Sequence, residues 1–418
     1  MNRYIKKPIV ALAAGIVALS ASLASAVEIE YWQYTYGSRV KAIDALIETF
    51  EAANPGITVK HTNFPYADYR KKVAIAVSAG DGPDVVQLYY GWLNDYRDSG
   101  LLQPLSKEAF PHASIESEFF PMVSTMKVDG DYWGLPTAVR ALALFYNKDL
   151  FAAAGLSGAP ETLDQMVEYA KKLTKKDSGG NYEVVGYATD GGAGQEHHFM
   201  REVLTRLFGG APYSDDGTKV TYNDAAGAKA LKYLTDFQMT HKTGASGFMN
   251  RGQDAFKAGK AGMVLDGSFR INTFKKVEEL NFGIAELPGH EGNRYNFASY
   301  WINGISSKAE GEKLAAANKF LQHITNDAAM QLWLDTVGEL PAKPAIALTD
   351  ENQAHPYFGP FIRGLGYATA TAFKSEKPQR QAIIDAIDMV TLQGVSPSDA
   401  LNKVAKDEQE VLDDYYDN

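Results

Sequence analysis

A strand–helix alternation over the first third of the chain limits the fold more than any other feature. Glu28 to Trp32 reads as a strand, with apolar and polar residues alternating as on a half-buried sheet. Gln33-Tyr34-Thr35-Tyr36-Gly37 follows. Then comes an amphipathic helix, with Ile43, Leu46, Ile47 and Phe50 on one face and Lys41, Asp44, Glu48 and Glu51 between them. Asn54-Pro55-Gly56 stops it, because proline and glycine end a helix. Ile57 to His61 is a second strand, about 66–79 a second helix, and Asp84 to Tyr89 a buried-type third strand. Strands joined through helices lie parallel, so the pattern predicts a parallel, doubly wound α/β sheet. Later segments keep the style. Ala143 to Tyr146, Met263 to Leu265 and Ile302 to Ser306 read as strands, 163–173, 225–238 and about 309–324 as helices, and the C-terminal third as mostly helical. No repeat and no low-complexity tether separates two units, so two lobes would be interwoven.

The first 26 residues do not belong to that pattern. Arg3, Lys6 and Lys7 precede an uncharged apolar run from Ile9 to Leu23 and a small-x-small end, Ala24-Ser25-Ala26. This is the layout of an export signal cut after Ala26. The apolar run is shorter than the roughly 20 residues of a membrane span. Cysteine is absent. An exported chain without disulfides needs a large core, and without a thiol it carries no lipid anchor, which points to a soluble protein in a periplasm. The net charge of −10 becomes −13 once Arg3, Lys6 and Lys7 are removed. Such acidity excludes a nucleic-acid partner held by phosphate neutralisation.

Catalytic signatures are missing. There is no G-x-S-x-G elbow, no phosphate-binding G-x-x-x-x-G-K-[ST] and no H-E-x-x-H in the sequence, and no pair of acids stands out for glycoside hydrolysis. His197 and His198 are adjacent, so on a helix or strand they are expected to diverge, and no metal or cofactor is expected. Aromatic and amide residues do gather where strands end, and ligands of open α/β sheets bind there. That rule selects Gln33 and Tyr36 after the first strand, Tyr89, Tyr90 and Trp92 after the third, Asp266, Ser268 and Phe269 further on, and Tyr300 with Trp301. A sugar offers an apolar C–H face and a rim of hydroxyls, which suits flat rings edged by planar polar groups. Alternate strand residues face opposite ways, so about half of each cluster should be core.

At these residues the chain resembles the carbohydrate-binding branch of extracellular solute-binding proteins, the maltose-binding-protein-like group. The resemblance is carried by Gly80-Asp81-Gly82-Pro83-Asp84, Tyr132-Trp133-Gly134-Leu135-Pro136, Leu144-Phe145-Tyr146-Asn147-Lys148-Asp149-Leu150-Phe151, Phe256 to Met263 and Gly338-Glu339-Leu340-Pro341-Ala342. It implies a two-lobed type II periplasmic-binding-protein fold, with interwoven lobes closing about a hinge. The chain would cross near Thr137–Arg140, Glu291 and Pro341, giving one lobe from 27–138 and 292–342 and another from 139–291 and 343–418.

The resemblance also implies a monomeric receptor, not an enzyme, that passes a carbohydrate to inner-membrane permease subunits of an ABC importer. Sugar-contacting positions of such proteins fall on Tyr90, Gly91, Trp92, Arg140 and Phe269, and near Glu196 and His197. Gly91-Trp92 stands where the maltose pattern has Asp-Arg, Arg140 where it has a carboxylate, and Phe269 where it has Trp. These departures imply a ligand other than maltose, and the Arg140 guanidinium either forks to a vicinal diol or an anion or is absorbed in a structural salt bridge. The run around Gly192 offers backbone N–H groups to an anion, or is an ordinary loop. The rivals are a secreted glycoside hydrolase and a same-fold binder of a phosphate ester or an amine.

Overall fold

The computed structural model describes residues 26–190 and 194–417. The export segment lies outside them except for Ala26, and so does Gly192. Eight strands of four or more residues build the sheet: β1 Val27–Tyr34, β2 Ile57–Phe64, β3 Val85–Tyr89, β4 Leu135–Asn147, β5 Tyr182–Ala188, β6 Ala261–Gly267, β7 Phe282–Ala285 and β8 Asn296–Ser306. They follow the order β2-β1-β3-β8-β4-β6-β5, and β7 also pairs with β4. Helices 37–53 and 66–78 separate the first three strands, and β1 runs parallel to both β2 and β3. The parallel expectation holds there and for β5 with β6. It fails at the long strands: β8 is antiparallel to β3 and β4, and β4 is antiparallel to β6 and β7. The sheet is therefore mixed.

β4 explains the change. Its first half pairs with β8, from Leu135 to Ala141, and its second half with β6 and β7, from Leu142 to Asn147. One strand thus serves two sheet regions. The sequence pattern showed only its end, 143–146, because Pro136 and Arg140 interrupt the apolar run. Pro136 is accommodated at an irregularity, where the register with β8 shifts between Tyr300 and Ile302; a residue without an N–H fits a bulge. The short segment Leu340–Pro341 pairs with Val139 and Ala138 of the same strand.

Two apolar clusters result. One packs helix 37–53 through Ile43, Leu46 and Phe50 onto Tyr31, Leu88 and Phe320; the other gathers Leu144, Tyr187, Phe199, Phe237, Ile383 and Leu401. The second also buries a polar knot. Arg201 donates to Glu408 at 2.7 Å, and Tyr222 and Gln379 donate to the same carboxylate. Arg201 and Glu408 are almost fully buried, a geometry tolerated only when both charges are paired. Among the described residues, no helix is long and apolar enough to cross a membrane.

Candidate functional site

Strand ends converge on a cleft of about 480 Å³. Tyr34 ends β1, Tyr89 ends β3, and Trp92 follows in the short turn Tyr90–Trp92. Trp301 of β8 is the register partner of Tyr89, so their rings meet at 5.8 Å. Tyr34 lies 4.3 Å from Trp301, and Trp92 stands edge-on to Trp301 at 5.4 Å. Tyr66, at the start of helix 66–78, completes the group at 5.5 Å from Tyr34. Its ring is 57 % exposed. Trp301 itself is buried, and its Nε1–H has no partner. A buried donor without a partner costs about 1–3 kcal/mol.

Behind this wall lies a charged brace. Arg140 of β4 donates through Nε to Glu339, beside the short strand Leu340–Pro341, and through a terminal nitrogen to the Tyr34 hydroxyl at 3.3 Å. Arg39, on the buried face of helix 37–53, donates to the same Glu339 and to Tyr34. Trp333 Nε1–H donates to the other Glu339 oxygen at 3.0 Å. The salt-bridge reading of Arg140 is thus what the structure contains, although the side chain still lines the cleft and lies over the Phe269 ring.

Helix beginnings form the opposing wall. One helix is α over Glu196–His198, π over Phe199–Leu204 and α again over Thr205–Leu207. Gln195, His197 and His198 at its start face the cleft. The two histidines do not diverge as expected. Their rings lie 3.9 Å apart, and His198 stacks on Phe297 at 3.8 Å. Burial, then the neighbouring His197, pushes the His198 pKa well down, so that ring is neutral. Among the described residues, no group of His, Cys, Asp and Glu could hold a metal ion. Helix 376–393 supplies Glu376, Lys377 and Arg380, and helix 66–78 supplies Arg70.

The structure brings Tyr89, Trp92, Arg140, His197, Phe269 and Trp301 together around this cleft. The other described residues chosen from the sequence stand apart from its lining. Tyr90 and Tyr300, one position from Tyr89 and Trp301, stack on each other at 4.7 Å in the core, and Tyr300 donates to the Met122 carbonyl. Gln33 shares the Tyr31 face of β1, away from Tyr34, and is fully buried. Tyr36 caps the start of helix 37–53, with its ring under Arg39. Asp266 accepts from the Gly267 N–H and from Arg270, which shapes the turn before Phe269. A side chain at Gly267 would collide with that Phe269 ring. Ser268 and Glu196 are buried, each with an oxygen lacking a partner. Burial, reinforced by Asp190, pushes the Glu196 carboxyl up to about 8.

The sequence reading did not mark Tyr66, Arg70, Lys377 or Arg380, and within its strand-end clusters 32–36 and 298–301 it passed over Tyr34 and Ser299. The strand-end rule, applied to β2, would have found Tyr66. Period-two alternation would have preferred Tyr34 to Gln33. Nothing local marks Lys377 or Arg380. A larger groove of about 930 Å³, lined by Arg97, Lys127, Lys374 and Tyr415, lies apart from the strand ends that build this site.

Residues 45–360 match the family described as bacterial extracellular solute-binding protein. A putative binding protein of Brucella abortus is 30 % identical over 285 residues, covering 66 % of this chain and 67 % of that one. The sn-glycerol-3-phosphate-binding periplasmic protein of Escherichia coli is 25 % identical over 394 residues, covering 88 % and 85 %. Among solved structures, a cyclic alpha-maltosyl-1,6-maltose binding protein from Arthrobacter globiformis superposes with a TM-score of 0.80 at 22 % identity, over 93 % of this chain and 99 % of that one. That likeness establishes the two-lobed fold.

Proposed function

Since the chain belongs to the bacterial extracellular solute-binding protein family, we propose that it is the exported, periplasmic substrate-binding component of an ABC importer, capturing a sugar or sugar derivative and delivering it to the permease. The observation that carries the reading is the aromatic wall. Tyr34, Tyr66, Tyr89, Trp92 and Trp301 share one cleft, whose lining also holds the polar groups of Gln195, His197, Ser299 and Glu376. Rings of this kind take the C–H face of a sugar, and the polar edge takes its hydroxyls. The named ligands of the relatives, a glycerol phosphate and a cyclic oligosaccharide, support a polyhydroxyl ligand.

The mechanism follows from the crossing strands. With lobes of 27–138 plus 292–342 and 139–291 plus 343–418, β4, β8 and Leu340–Pro341 form the hinge. A ligand that touches both walls binds the closed state better, and that difference shifts the population. The permease then reads the closed form. The test is a thermal-shift screen of sugars, sugar acids and sugar phosphates, followed by solution scattering with the best ligand. A bound ligand raises stability by RT ln(1 + [L]/Kd) and shrinks the radius of gyration. A protein that released products from glycosides, or that bound no carbohydrate, would refute the reading.

A further inference from the structure

The charges of the cleft are uneven. Its lining holds Arg70, Arg140, Lys377 and Arg380 against the single carboxylate of Glu376. This excess sits in a chain whose net charge is −10, so it is local and opposes the overall composition. Three of the cations have partners of their own: Arg140 with Glu339, Arg70 with Asp95 and Arg380 with Glu376 at 3.2 Å. Those of Arg70 and Arg380 are partial, since both side chains stay about two-fifths exposed. Lys377 makes no ion pair among the described residues.

The cations also divide by position. Arg140 is tied into the brace behind the aromatic wall. Arg70 faces Trp92, with its guanidinium carbon 5.2 Å from the ring centre. Lys377 and Arg380 lie in the first turns of an 18-residue helix, Glu376–Gln393. Helix starts favour negative charge. Trp301, which lines the same cleft, can only donate, although its indole N–H is itself buried without a partner. Side chains that donate therefore outnumber those that accept.

We propose that the ligand is an anionic carbohydrate, a sugar or polyol bearing one phosphate or carboxylate. Its acidic group docks between Arg70, Lys377 and Arg380, while its ring or carbon chain lies on Trp92 and Trp301. This rests on the carbohydrate reading and narrows it. It also moves the anion site from Arg140, which the sequence singled out, to residues the sequence did not mark.

The experiment titrates the full mature chain by calorimetry with matched probes: glucose 6-phosphate, glucuronate and glucose; glycerol 3-phosphate and glycerol; trehalose 6-phosphate and trehalose; and inorganic phosphate alone. The expected result is that at least one acid binds about tenfold or more tighter than its neutral parent, that added salt erodes the difference, and that inorganic phosphate alone binds far more weakly. Lys377→Gln, which leaves no carboxylate unpaired, should remove several-fold of that preference without moving the melting temperature. Lys377→Gln with Arg380→Gln should remove most of it. Neutral parents that bind as tightly as the acids would overturn this inference and leave the carbohydrate reading standing. So would variants that weaken acids and neutral sugars equally, or inorganic phosphate binding as tightly as any sugar phosphate. A panel in which no carbohydrate binds would overturn both.

Discussion

The two walls of the cleft are made of different material. The aromatic wall grows out of strand ends, where Tyr34, Tyr89 and Trp301 are fixed by backbone ladders and cross-strand neighbours. The opposing wall is made of helix starts, 196–207 and 376–393, which no ladder holds in place. Apolar packing in the second cluster and remote polar links hold them instead. Arg201 of the first helix donates to Glu408 and to the Gln379 carbonyl, so one guanidinium ties both helices to helix 397–417. The stacking surface is therefore set locally, and the polar surface is set from a distance. A mutation far from the cleft can disturb the second wall without touching the first.

The sharpest way to test that contrast is to cut the remote link. Glu408→Ala leaves Arg201 buried and unpaired, which should cost about 3–5 kcal/mol. Chemical denaturation would show this as a lower midpoint, and a midpoint equal to wild type would break the comparison. Tyr89 and Trp301 are paired through the sheet rather than through this link, so near-ultraviolet signals of Trp92 and Trp301 should survive in conditions where the protein remains folded.

A second test uses pH. Glu196 begins the second wall, and its folded pKa of about 8 lies above the ordinary 4.5. The folded state thus holds a proton that the unfolded state has lost between those values. Its contribution is fully present below about 4.5 and falls as pH rises to about 8, by up to about 1.4 kcal/mol for each pH unit. Glu196→Gln should therefore gain on wild type as pH is raised from 5 to 8. Parallel stability curves for the two proteins would refute the assignment.

The smallest effects belong to single rings. Trp92→Ala or Trp301→Ala should weaken binding of the best carbohydrate by about 1–3 kcal/mol, measured by calorimetry, with little change in fold. If neither changes affinity, the aromatic wall is only core.

The same contrast explains what the sequence disclosed. Strand alternation and the strand-end rule pointed to Tyr89, Trp92 and Trp301, because the chemistry of a strand end is written in a few consecutive residues. The choice between neighbours required the face of each strand, and there Tyr90, Tyr300 and Gln33 fell on the core side. The parallel sheet was legible only as far as β3, since the path of β4 depends on partners more than a hundred residues away. Nothing local marks Arg39 as buried, since its partner Glu339 lies 300 residues along the chain. Lys377 and Arg380 looked like any helical surface. Their place at the cleft depends on how the last two helices pack, which no local pattern reports.

Gly91 ties the two walls together by having no side chain. A methyl group there would stand 2.8 Å from the Glu376 side chain and 3.0 Å from the rings of Phe373 and Tyr89. A larger residue there must displace the side chains of Glu376, Phe373 or Tyr89. For a protein engineer, this one position is a spacer between stacking platform and charged rim. Gly91→Ala or Gly91→Ser would therefore act on the seam between Tyr89 and Glu376, and so on the spacing of the two walls, while every residue of both walls stays in place.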